Sequence, residues 1–172
     1  MAKGGAAYVV AAFVFGFDQL TKWIVTGPLG INAHGDQLKL IPFFNLTYTE
    51  NHGISLGLLT ASSDAARWML VAMTSIIALA VAYWISREKQ RADQIALGMV
   101  LGGALGNILD RVRFGYVVDF ADLHFGEFRP FLIFNVGDAA ISIAVVVLLL
   151  RAFLVRKDGA EDADPEEKIE HA

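Results

Sequence analysis

The sequence contains no cysteine. That excludes a thiol nucleophile, a zinc–thiolate site and a disulfide framework. Histidine is sparse as well. His34, His52 and His124 follow no metal-ligand spacing and no H-E-x-x-H is present, so neither metal nor cofactor is expected. Basic residues nowhere form a stripe with interleaved aromatics, so nucleic acid is not an expected partner.

What the chain has in abundance is apolar. Hydrophobic residues make up 55% of its 172 positions, with a mean hydropathy of +0.50, above a soluble domain's share. The net charge of −4 is local: from Lys157 to Ala172 seven acids face two lysines, which leaves the rest of the chain at +1. The length suits one domain, taken as residues 1–155. Residues 156–172 read as an acidic, disordered cytoplasmic tail, too polar to bury a core.

Four apolar segments approach the length that crosses a hydrocarbon core: about Ala6–Val25, Trp68–Ile85, Gln94–Leu109 and Phe131–Leu150. The first has no small-residue cleavage site after it and carries "FDQLTKW" within it, so it reads as a retained span rather than a signal peptide. Arg87, Lys89 and Arg91 crowd the turn between spans two and three; Lys3 precedes span one, and Arg151, Arg156 and Lys157 follow span four. By the excess of cations on the cytoplasmic side, both termini are cytoplasmic. The connections at about 26–67 and 110–130 then face outward. Arg111, Arg113 and Arg129 lie on that outer side against the rule, which points to local work for at least one of them.

The expected fold is a mainly α integral membrane protein of four transmembrane helices, with a small extracytoplasmic β-ribbon between helices one and two. The ribbon is read from "LKLIPFFNLTYTEN", rich in β-branched and aromatic residues. Pro42 argues against a central strand there, and Phe43, Phe44 and Tyr48 are expected at the membrane interface.

Polar residues converge at one depth. Asp18 and Lys22 are four apart and share a face of span one. Asn107 and Asp110, followed by Arg111, close span three, and Asn135 and Asp138 lie near the outer end of span four. Asp119 sits in the outer connection, inside "VVDF". Ionisable groups at membrane depth are rare and face the bundle interior. Gly98, Gly102 and Gly106 recur every four residues and read as close helix packing. Two carboxylates held together cannot both ionise easily and share one proton, the arrangement that serves aspartic proteolysis. Two other readings compete. "GISLG" at 53–57 matches G-x-S-x-G and would make Ser55 a serine nucleophile, with His124 a possible base. A proton-coupled carrier would relay protons through Asp18, Asp110 and Asp138, but the inner halves of spans two, three and four carry no charge to continue the path.

The pieces "DQLTK", "NHGIS", "GNILDR", "VVDF" and "FNVGD", in that order over about residues 13 to 150, resemble the lipoprotein signal peptidases (signal peptidase II). These are aspartic peptidases of the bacterial inner membrane. The resemblance implies that Asp119 and Asp138 are catalytic, with support from Asn107, Asp110, Arg111, Asn135, Asn51, Asp18 and Lys22. It also implies the substrate: prolipoproteins already carrying diacylglycerol on a cysteine, cut just before that cysteine at the outer surface. Membrane lipid is the surrounding partner, and a monomer is expected. The chain departs from the family pattern at Leu56, where an aromatic is usual, and at Gly137, where alanine is common. Both departures are expected to bear on the pocket lining rather than on an acid.

Overall fold

The computed structural model describes residues 4–53 and 64–161, and in it each apolar segment forms a helix. Helix α1 is Gly5–Thr26, α2 Asp64–Arg87, α3 Arg91–Phe114 and α4 Val136–Glu161. All four are long and apolar enough to cross a membrane, α4 over its Val136–Leu154 portion. Twenty-four residues of α2 or α3 extend about 36 Å, enough for the hydrocarbon and its edges. Helix α3 is the centre of the bundle and packs against α1, α2 and α4.

The expected glycine stripe is what brings α1 so close. A Cβ on Gly98 or Gly102 would strike the backbone carbonyls of Ala7 and Ala11, and one on Gly103 would strike that of Gly137 on α4. Small residues let backbones meet where lipid gives no hydrophobic drive for association. Ala7, Ala11, Leu97 and Leu101 line this contact, while Val9, Phe13, Ile76 and Leu79 point outward.

The boundaries shift by a few residues throughout, and three of the shifts are larger. Helix α3 runs past Leu109 to Phe114 because charged residues at a span's end still make helical hydrogen bonds. It stops at Gly115, whose φ of 93° suits glycine and whose N–H donates to the Arg111 carbonyl at 3.1 Å. Helix α4 begins at Val136 rather than Phe131, because the Phe134 backbone is already paired with Ala121. At its other end α4 continues to Glu161, through the first residues of the expected tail. Residues 162–172 lie outside the described residues.

The β-ribbon is present but belongs to a larger sheet. Strands β1 (Gln37–Ile41) and β2 (Phe44–Asn51) form the hairpin, with Pro42 in its turn, and β3 (Val117–Leu123) adds antiparallel to β2. β2 is therefore central, and the sheet takes a strand from the connection between α3 and α4. Tyr48 corrects the interface expectation: it is buried against Val25, Ile31 and Val118, whereas Phe43 is exposed and stacks on Phe125. The strand's bulge between Leu46 and Thr49 shifts which residues face inward.

Candidate active site

Val117, Val118 and Phe120 are buried, and these β-branched and aromatic residues commit the stretch to a strand. That strand carries Asp119, opposite Thr49 on β2 and 1% exposed. Both its carboxyl oxygens are engaged. Asn135 Nδ2 donates to Oδ1 at 2.6 Å, and Asn51 Nδ2 donates to Oδ2 at 3.0 Å. Burial, and then the nearby charge of Asp138, push the Asp119 carboxyl up to about 6 from 3.8; the two amide bonds and Lys22 pull the other way.

Asp138 occupies the first turn of α4. Asn135 caps that turn: its Oδ1 accepts from the Asp138 N–H at 2.9 Å, and Asp138 Oδ2 accepts from the Asn135 N–H at 3.3 Å. This reciprocal arrangement is a capping box with aspartate in the glutamate position. The other oxygen, Oδ1, accepts from Asn107 Nδ2 on α3 at 2.8 Å. Asn135 Nδ2 also reaches Asn107 Oδ1 at 3.1 Å. Two asparagines thus join the two acids into one array.

Beneath it lies an ion cluster. Lys22 Nζ is 2.7 Å from Asp18 Oδ2 and 2.7 Å from Asp110 Oδ2, and it donates to Asn107 Oδ1 at 3.3 Å. The expected Asp18–Lys22 pair exists, but it reaches a second helix. Asp18 and Asp110 each spend an oxygen on a backbone N–H, those of Gly137 at 2.9 Å and Val118 at 3.2 Å. Three helices and a strand meet here.

Eight of the nine residues expected at the site join this hydrogen-bonded set. Arg111 is placed differently. It lies within electrostatic range of Asp138, Asp119 and Asp110, yet its buried Nε has no hydrogen-bond partner among the described residues. Gly137 is tightly enclosed; a Cβ there would sit 3.0 Å from the Gly103 carbonyl and 3.1 Å from Asn135 Oδ1. Ser55 and Leu56 lie outside the described residues.

Two contributors escaped the sequence reading. Gln19 donates to Asp110 Oδ1 at 2.9 Å and to Asp18 Oδ2 at 3.2 Å. It stands beside Asp18, and a polar side chain in an apolar span was the available signal. Arg67 Nε donates to the Arg111 carbonyl at 2.8 Å, and Arg67 also bonds the Val112 carbonyl, closing the end of α3. Its signal was a cation just before the expected start of span two.

Each acid opens to a cleft. Asp119 lines one of about 680 Å³ with Asn51, His52 and Arg129, and Asp138 lines an adjoining apolar groove of about 330 Å³ with Phe134 and Ile143. Phe131 and Leu132 form the wall common to both. One opening mixes charged and amide side chains with apolar ones and the other is almost wholly apolar, at a single pair of carboxyls. An elongated substrate with an apolar part and a polar part suits that.

Comparison with known proteins agrees. The profile of the signal peptidase (SPase) II family matches residues 10–154. A lipoprotein signal peptidase of Sphingopyxis alaskensis is 58% identical over 158 residues, covering 91% of each chain. One from Rhizorhabdus wittichii is 52% identical over 157 residues, 90% of this chain and 91% of its own. Among solved structures, a bacterial membrane enzyme determined in meso at 2.3 Å superposes with a TM-score of 0.74 at 32% identity, covering 95% of both chains.

Proposed function

Because this chain belongs to the signal peptidase II family, whose activity is removal of signal peptides from prolipoproteins, we propose that it cuts the peptide bond with Asp119 and Asp138 acting as one proton-sharing pair. The observation that carries this is the array in which Asn135 bonds Asp119 while Asn107 bonds Asp138. In it Asp119, whose carboxyl burial pushes up, is assigned the shared proton, and Asp138 the role of base. The positive end of α4 complements a carboxylate at Asp138.

The chemistry then balances. Asp138 takes a proton from water as its oxygen bonds the scissile carbonyl carbon. Asp119 gives its proton to the carbonyl oxygen, forming a neutral diol. On collapse the diol returns a proton to Asp119, Asp138 passes its proton to the departing nitrogen, and the C–N bond breaks. Arg111, charged and with its buried Nε unpartnered among the described residues, is assigned to orienting backbone or loop groups around the pair rather than reacting.

The substrate reading is a prolipoprotein with a diacylglyceryl cysteine, cut just before that cysteine. The apolar groove beside Asp138 and the mixed cleft beside Asp119, where Asn51, His52 and Arg129 face Phe131 and Leu132, are consistent with a bond lying at the membrane edge. The membrane orientation follows the basic turn at Arg87–Arg91: termini cytoplasmic, site outward. The protein acts as a monomer in this reading.

The test is cleavage of lipidated prolipoprotein by purified variants. Asp119→Asn and Asp138→Asn each lose nearly all cleavage while folding and binding substrate, and the double variant is scarcely worse than either. Near wild-type cleavage in either single variant overturns the pair. Ser55→Ala keeps substantial cleavage; its inactivation with the fold intact would favour the serine reading instead.

A further inference from the structure

The two carboxylates come from different elements, β3 and α4, and Asn135 ties their backbones only in part, capping the Asp138 N–H at 2.9 Å and reaching the Val118 carbonyl at 3.5 Å. The preceding amides are held separately. The N–H of Val118, the residue before Asp119, donates to Asp110 Oδ2, and the N–H of Gly137, the residue before Asp138, donates to Asp18 Oδ1. Each acid of the pair thus has a second acid gripping its neighbour's amide. Both gripping acids close on one ammonium, at 2.7 Å each.

We propose that Lys22 is the positioning residue that sets the separation of Asp119 and Asp138, through the Asp18–Gly137 arm and the Asp110–Val118 arm. The proposal rests on the pair being the catalytic group. Lysine suits the task. An ammonium has three protons, and here Asp18, Asp110 and Asn107 take all three. Asn107 extends a third arm directly to the Asp138 carboxylate. Gln19 fastens Asp18 to Asp110 a second time.

Lys22 is 5% exposed, Asp18 0% and Asp110 1%. Buried charges of this kind hold their geometry tightly, because separation would leave a charge without its partner. A simple intrahelical pair would need only Asp18. Among the described residues, the other charged and titratable groups near Lys22 are Asp119, whose carboxyl feels its charge, and Arg113 on α3 with Tyr48 and Tyr116 across a cavity of about 270 Å³. None of them bonds Nζ.

The experiment uses the full chain, purified in detergent, with lipidated prolipoprotein as substrate. Asp18→Asn keeps an oxygen for the Gly137 N–H but breaks its ion pair. Lys22→Arg keeps the charge but replaces a compact donor with a longer planar fork. In both, kcat falls by about tenfold to 10²-fold with KM unchanged, as a misplaced reacting group would give. The alkaline limb of the kcat/KM profile also shifts in Lys22→Arg, because mutual repulsion between the pair depends on their separation.

Asp93→Asn breaks the Arg151–Asp93 pair at the opposite end of the bundle; it lowers the thermal midpoint and leaves kcat and the pH limb alone. Lys22→Met removes both clamps, and where it does not fold the two milder variants decide. Wild-type kcat and an unmoved limb in folded Lys22→Arg and Asp18→Asn overturn the proposal. Asp138→Asn run alongside separates the two ideas. If it is inactive while Lys22→Arg is normal, only the positioning role fails; if it is active, the pair itself fails.

Discussion

Asn135 and Asp138 cap each other across the first turn of α4, while the amide of Asn135 is simultaneously the donor to Asp119 Oδ1. One side chain starts a helix and binds the partner acid. These duties are separable by substitution. Serine caps helices about as well as asparagine but has no second donor to reach Asp119. Asn135→Ser therefore keeps its thermal midpoint close to wild type and loses activity by at least about tenfold, a difference that calorimetry beside a cleavage assay detects.

The protonation of Asp119 gives a pH signature. Its carboxyl is pushed up to about 6 from 3.8, so between those values the folded protein binds a proton the unfolded chain has released. Stability contributed by this group is full below the unfolded value and is lost as pH rises through about 6, on the order of 3 kcal/mol in all. Asp119→Asn flattens that part of a stability–pH curve. In activity, kcat/KM for the wild type declines on the alkaline side near about 6. The Asn51 amide favours the ionised form, so Asn51→Leu moves that limb to higher pH.

The glycine stripe yields a graded series. Gly98 faces the Ala7 backbone far from the acids, whereas Gly106 faces the Asp18 carboxylate. Gly98→Ala forces the helices apart and costs about 1–3 kcal/mol of stability, with activity per folded molecule retained. Gly106→Ala pushes on Asp18 itself and lowers kcat as well. Equal kcat in the two variants would refute this distinction.

Arg67 closes α3 two residues before the turn into the strand of Asp119. Arg67→Ala leaves carbonyls of the last turn without that donor and costs about 1–3 kcal/mol. Hydrogen exchange of the Gly115–Val118 amides rises in this variant, while that of the α1–α3 contact does not.

For orientation, a reporter fused after Ser86 reads cytoplasmic and one fused near Asp36 reads external. The reverse pattern removes the outward-facing site.

In the sequence by itself, hydropathy and the placement of acids were enough to locate the helices and to single out the buried carboxyl groups. Runs of apolar residues long enough for a bilayer have few other states, so α1 to α4 were legible within a few residues. Acids in such surroundings are costly, so Asp18, Asp110, Asp119 and Asp138 announced themselves, and glycines every four residues marked the close contact. What it could not supply was which acid serves which purpose without the family resemblance. That depends on contacts between residues 119 positions apart, as for Asp18 and the Gly137 amide, and no local pattern encodes them. Only the tertiary structure made VVDF a third strand on the hairpin, because strand pairing is decided by partners remote in sequence. It also turned Asp18–Lys22 from a helical pair into a junction of two helices, and started α4 from an asparagine cap four residues after the apolar run begins. Hydropathy measures where a chain prefers to be; hydrogen bonds between distant segments decide how it is held there.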